Sequence, residues 1–148
     1  MNITKTVTEH DLQEQMIALV RAFGLHRPDQ TPCGKPVAVA EAHALIELSR
    51  EQPLSQSELA ARLRLEKSTI SRLVGQLEGR GWLERRRNQT DGRVIDLWLT
   101  QAGQNAAVEL SVARRAKFAH ILAAIPEERR DEVIEALHIL VEAIRDNS

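Results

Sequence analysis

Four arginines, Arg85, Arg86, Arg87 and Arg93, bracket the polar run Asn88, Gln89, Thr90, Asp91, Gly92. Guanidinium groups crowded onto a short arm suit recognition of a polyanion, and a narrow arm can place them in a minor groove of negative potential. Upstream, Lys67, Ser68, Thr69, Ser71, Arg72, Gly75 and Gln76 are the residues a helix-spaced segment leaves facing outward. Short hydroxyls reach phosphates or base edges without holding a helix away from them, and Arg72 can take guanine in a bidentate pair. Between residues 62 and 93 there are nine Arg or Lys and four Asp or Glu, a local balance of +5 against −1 for the whole chain. A basic face on a near-neutral protein favours a polyanion at that face alone. Asp91 is the odd member: facing phosphate it would repel, so it is expected to hold Arg93 or the turn backbone in place. Aromatics make up only 3% of the chain and Tyr is absent. Stacking on single-stranded bases is therefore disfavoured, and a duplex is the expected partner.

A second group of residues raises metal or redox chemistry. His26, Cys33, Glu41 and His43 offer imidazole, thiolate and carboxylate within seventeen residues, donors that suit zinc or another divalent transition metal. The spacing is not that of a zinc finger, and there is no second cysteine. The plainer reading stands beside it: His43 as a helix histidine with ordinary partners, and Cys33, in Pro-Cys-Gly, as a small packed loop residue. No cofactor is required by the pattern. Enzyme motifs are missing, with no His-Glu-x-x-His, phosphate loop or Gly-x-Ser-x-Gly, so catalysis is not expected.

The elements that must position these residues follow from local signals. Ser55 caps a helix, Glu58 reaches back to it, Leu54 and Leu59 flank the cap, and Ser57 lies in the first turn. After a short turn at residues 64–66, a second helix spans about 67–80, with Ile70, Leu73, Val74 and Leu77 facing inward. Gly79 and Gly81 end it. Residues 82–87 read as a strand, 88–92 as a turn, and 94–99 as a second strand of period two. Helix, turn, helix and hairpin together make a winged helix. Outside it, a helix over about 9–25 has an apolar face of Leu12, Met16, Leu19, Val20 and Phe23. A loop rich in turn residues follows at 24–36. Another helix opens at Val37 or Val39 and runs to about Arg50, with Ala42, Leu45, Ile46 and Leu48 inward. Thr100 can cap a long helix to about Ala124, with Ala102, Ala106, Leu110, Ala113, Phe118, Ile121 and Leu122 as buried candidates. Pro126 starts a last helix to about Arg145, in which Val133, Ile134, Leu137, Ile139, Leu140, Val141 and Ile144 cover more than one stripe. An apolar surface that wide calls for a second subunit, or else for the core of a monomer.

The order SQSELAARL, STISRLVGQLEGRGWLERR, DGRVIDLWLTQAG resembles the multiple antibiotic resistance regulator (MarR) family of winged-helix transcription regulators, over nearly the whole chain. The resemblance implies a mainly α fold, an α+β winged helix. It would have six helices, a helix-turn-helix and a two- or three-stranded β-wing, in one chain of residues 1–148. Residues 1–36 and 101–148 would form a helical dimerisation region and 37–100 the DNA-binding region. Ser68, Thr69, Ser71 and Arg72 would lie on the recognition helix, and Asp91 and Arg93 would match the wing Asp-x-Arg. It further implies a homodimer on a roughly palindromic operator, most simply a repressor, released by a small ligand, metal or oxidant. Some relatives draw zinc ligands from His, Glu and Cys in the region of His26 to His43, with further His from the helix after the wing, where this chain has only His120. Others take an aromatic acid or hydrophobic drug in an apolar cleft beside the winged unit. A winged helix that binds protein or RNA is the alternative, because fold alone does not fix function.

The totals fit a globular regulator. At 148 residues, 43% hydrophobic and 28% charged, the chain is long enough for one core. No apolar run approaches the roughly 18 residues of a bilayer span, the amino end MNITKTVTEHD carries no signal-peptide core, and a lone cysteine suits a reducing compartment. A cytoplasmic protein with no membrane partner is expected.

Overall fold

Side-chain caps at Thr8, Ser55 and Thr100 set where their helices begin in the computed structural model, which describes residues 5–147; residues 1–4 of the polar amino end and residue 148 lie outside the described residues. Thr8 Oγ1 accepts from Asp11 N at 3.3 Å while Asp11 Oδ2 accepts from Thr8 N at 3.0 Å, opening α1 (Glu9–Phe23). Gly24 closes it at φ 89°, two residues before the expected end, because the left-handed turn lets its amide reach Val20 O. The next helix, α2 (Val39–Arg50), starts at the later of the two valines. Ser55 Oγ accepts from Glu58 N at 3.0 Å and starts α3 (Gln56–Leu63), with Leu54 and Leu59 both fully buried beside the cap. Arg64 ends α3 in the left-handed region at φ 54° and leads into α4 (Lys67–Gly79).

The hairpin forms as its period-two pattern requires. β2 (Leu83–Arg87) and β3 (Ile95–Leu99) pair antiparallel, and a short strand, β1 (Leu54–Ser55), adds to the other edge of β3, giving the order β1, β3, β2. The third strand is only two residues long and coincides with the helix cap, so period gave no sign of it. The register places Leu83, Arg85 and Arg87 opposite Leu99, Leu97 and Ile95, and Glu84 and Arg86 opposite Trp98 and Asp96. One face thus carries the core residues and the other carries Trp98.

The core joins α2, α3, α4 and the sheet. Leu45, Leu48, Leu54, Leu59, Ile70, Val74, Leu77 and Leu97 are buried, each worth about 1.5–3 kcal/mol of transfer from water. Ala44 belongs to this core and Ile46 is only half-buried, a shift of the α2 face from the expected one.

A larger shift occurs in α5 (Gln101–Ala124). Ala102, Phe118 and Leu122, expected inside, are exposed, and Ala113 and Ile121 are half-buried; the buried residues are Gly103, Ala107 and Leu110. For the start of the helix the cause lies in its first turn. Thr100 N donates to Trp82 O at 3.1 Å, Thr100 Oγ1 donates to Gly81 O at 2.6 Å, and Gly103 N donates back to Thr100 Oγ1 at 3.0 Å. A Cβ on residue 103 would collide with the Trp82 carbonyl oxygen and lie 2.9 Å from its carbon. Only glycine permits that approach, and it rotates the inward face to 103, 107 and 110.

The chain divides into two compact units, residues 1–113 and 114–148. The first holds α1 to α4, the sheet and the start of α5. The second holds the rest of α5, a single 3-10 turn (Glu127–Arg129) and α6 (Arg130–Asp146). Arg130 Nε donates to Ile125 O at 3.1 Å, closing the bend that Pro126 begins. Among the described residues no helix is long and apolar enough to cross a membrane. Among the described residues, six helices and a small antiparallel sheet in this order make the winged helix that the sequence implied.

Candidate nucleic-acid interface

α4 buries Ile70, Leu73, Val74 and Leu77, and this anchors the opposite side of the helix in solvent. There Lys67, Ser68, Ser71, Arg72, Gly75 and Gln76 are exposed, and Thr69 is half-buried at the edge. No large apolar side chain interrupts this surface. Ser57 is exposed in the first turn of α3, while Ser55 is half-buried and its hydroxyl accepts from the helix amide.

The wing turn is built by two side chains. Asn88 Oδ1 accepts from Thr90 N at 2.8 Å and Asp91 N at 3.0 Å, and Asn88 Nδ2 donates to Asp96 Oδ2 at 3.0 Å. Asn88 is thus engaged within the turn, which makes its role there structural. Asp91 Oδ1 accepts from Arg93 N at 3.0 Å and from Arg93 Nε at 3.4 Å, which sets the direction of the Arg93 side chain. Arg93 itself is 94% exposed. Gln89 is exposed at the tip, and Arg87 has no ion-pair partner among the described residues. The other two wing arginines are held. Arg85 Nε lies 3.5 Å from Glu78 Oε2, while Arg86 Nη2 donates to Glu84 Oε2 at 2.7 Å and stacks 5.2 Å from the Trp98 ring centre. Sequence spacing had grouped all four together. Strand alternation separates them.

The end of α4 is tied to α2. Arg80 Nε donates to Glu41 Oε2 at 2.7 Å and Nη2 donates to Oε1 at 3.3 Å, a bidentate pair whose carboxylate is 6% exposed. Arg80 also lies 4.8 Å from the Trp82 ring centre. Beside it, Lys35, Val37, Trp82, Ala106 and Leu110 help line a cleft of about 150 Å³. This pair was missed in the sequence because its partners are 39 residues apart. Farther round, Arg62 binds Glu51 and Glu47, and the Glu51 hydrogen bond holds its guanidinium pKa above the ordinary value.

The metal donors are not brought together. Glu41 and His43 are two residues apart on one helix and therefore on opposite sides of it, Glu41 buried against Arg80 and His43 exposed. His26 and His120 are exposed, and Cys33 Sγ lies 2.9 Å from Thr31 Oγ1. Among the described residues no three His, Cys, Asp or Glu side chains form a group that could hold a metal ion.

Residues 38–95, the stretch just described as the paired helices and wing, match the profile of the MarR family. The repressor MdtR of Bacillus subtilis (strain 168) is 33% identical over 103 residues, 70% of this chain. The chain belongs to the MarR family. Its alignment spans 64% of the length of MdtR. Two solved structures share the fold. FabT of Streptococcus pneumoniae, solved in complex with DNA, superposes with TM-score 0.80 at 19% identity, covering 95% of this chain and 100% of that one. The PcaV transcriptional regulator of Streptomyces coelicolor, solved with its natural ligand, gives TM-score 0.73 at 22% identity over 95% of this chain and 99% of that one. The relatives of this MarR-family chain are named as transcriptional regulators or repressors.

Proposed function

We propose that this MarR-family protein is a transcription regulator, in the simplest case a repressor, that binds a pseudo-palindromic duplex as a homodimer and lets go when a small effector binds. The observation that carries the reading is the surface of α4: a helix with a fully buried inner face presents hydroxyl, amide and cationic groups outward over residues 67–76, next to a turn whose Arg93 is almost wholly exposed. Ser68, Ser71, Arg72 and Gln76 would enter the major groove, with Lys67 on a phosphate and Arg87 and Arg93 at the flanking minor groove. FabT, whose fold this chain shares, was solved in complex with DNA, which supports DNA as the partner.

The dimer is supported by apolar surface that a single chain leaves uncovered. α1 and α6 bury no residue; Leu12 and Leu19 are 50% and 47% exposed, and Ile134 and Ile139 are 63% and 61% exposed. A second copy of the chain is the natural cover, and its two-fold axis would set two α4 helices one duplex turn, about 34 Å, apart. An effector would enter the cleft beside Arg80 and Trp82. At about 150 Å³ it matches a single small ring, below the roughly 300 Å³ of a drug-sized site, so a larger effector must widen it and move the Arg80 end of α4. Zinc or an oxidant acting at Cys33 is the other effector reading.

Selection of bound duplexes from a random pool tests the function. The expected product is one preferred sequence with half-site centres about 10 base pairs apart. A pool that emerges unenriched would sink the proposal. Repeating the selection with small aromatic acids, zinc or a peroxide identifies the effector class, and Cys33→Ser abolishes the response if it passes through the thiol.

A further inference from the structure

Arg85 stands apart from the other wing arginines. Alternation along β2 puts it on the same face as Leu83, which is buried in the core, and on the opposite face from Glu84 and Arg86. It therefore leaves the wing toward α4. Its Nε lies 3.5 Å from Glu78 Oε2, and its Nη2 would lie 3.9 Å from a Cβ on residue 75, where α4 has glycine. Ser71, Gly75 and Glu78 follow at spacings of four and three residues and so form one strip along the helix, with Ser68 one turn earlier. The guanidinium lies across the bare backbone of this strip, among the groups that face outward from α4. The ion pair engages Nε and leaves both Nη groups free to act as a fork.

We propose that Arg85 is a base-reading residue of the α4 surface, a guanidinium supplied by the wing strand and aimed by Glu78 across Gly75 at a guanine in the major groove. The assignment rests on the DNA-binding reading above. Two planar Nη donors match the O6 and N7 acceptors of guanine, which a lysine ammonium cannot match as a fork. Arg86, turned to the other face and held between Glu84 and Trp98, takes no part. Both members of the Arg85 and Glu78 pair are partly exposed, and such surface pairs contribute little to folding. Variants at either position are therefore expected to fold.

Random-duplex selection and salt titration with the full-length wild type, Arg85→Lys, Arg85→Ala, Glu78→Gln and Arg87→Ala test the proposal. Arg85→Lys keeps the charge and loses the fork, so preference for guanine at one position of each half-site falls about ten-fold while the salt slope is kept. Arg85→Ala loses the same preference, and Glu78→Gln weakens it at that same position to a smaller degree. Arg87→Ala leaves base preference intact and lowers the slope of log affinity against log salt by about one. If Arg85→Lys retains the guanine preference, or Arg85→Ala weakens all sequences equally, Arg85 contacts phosphate and the proposal is overturned. Unchanged preferences in both Arg85 variants overturn it too. A wild type that enriches no duplex fails at the earlier step and overturns the DNA-binding reading itself.

Discussion

At the scale of single residues, burial decides how much each charge matters. Glu41 is 6% exposed and receives two bonds from an Arg80 that is far more open. Removing the arginine strands a buried carboxylate, whereas neutralising the carboxylate leaves a guanidinium that water can reach. Arg80→Ala is therefore expected to cost about 3 kcal/mol and Glu41→Gln about 1 kcal/mol, read from urea midpoints. Equal losses would show that the pair's two ends are solvated alike. Arg93 is the opposite case, an exposed cation aimed by Asp91. Arg93→Ala should leave the midpoint unchanged and lower the salt slope of operator binding by about one; an unaltered slope removes the wing tip from the interface. Spacing along the chain revealed Asp91 beside Arg93, two residues away. It had no means of showing that Arg80 reaches Glu41.

At the scale of elements, caps and periods were legible because their information is local. Ser55 and Glu58, Thr100 and the inward stripe of α4 all operate within one or two turns. The facing of α5 was not legible, since a helix of many alanines carries a weak apolar stripe and its rotation is set by contact with Trp82. Gly103→Ala tests that cause. The added methyl would force the start of α5 off the Trp82 backbone, costing about 1–3 kcal/mol in chemical denaturation, although alanine is the better helix former. A neutral or stabilising result would mean that something other than this approach sets the rotation.

For the whole molecule, the uncovered apolar faces of α1 and α6 are the feature that most needs a partner. Leu137→Glu combined with Ile134→Glu places two carboxylates on α6 where no core residue is lost. Under the proposed pairing, sedimentation at micromolar concentration should find a dimer for the wild type and a monomer for this variant, with the helix content of the winged unit retained. Operator affinity should fall by orders of magnitude, because one α4 helix alone cannot span two half-sites. A double variant that still sediments as a dimer would place the interface elsewhere.

The sequence alone determined the helix-turn-helix, the hairpin and their charge, because amphipathic period, capping chemistry and turn residues act between neighbours in the chain. It also offered the donors His26, Cys33, Glu41 and His43 as one group and the wing arginines as another. Tertiary structure divides both groups within the chain. It set Glu41 and His43 on opposite sides of α2 and gave the carboxylate to Arg80, and it divided Arg85 and Arg86 between two faces of one strand. Which side chains meet depends on how helices rotate and strands register against one another, and those choices are settled by packing among residues far apart in the chain.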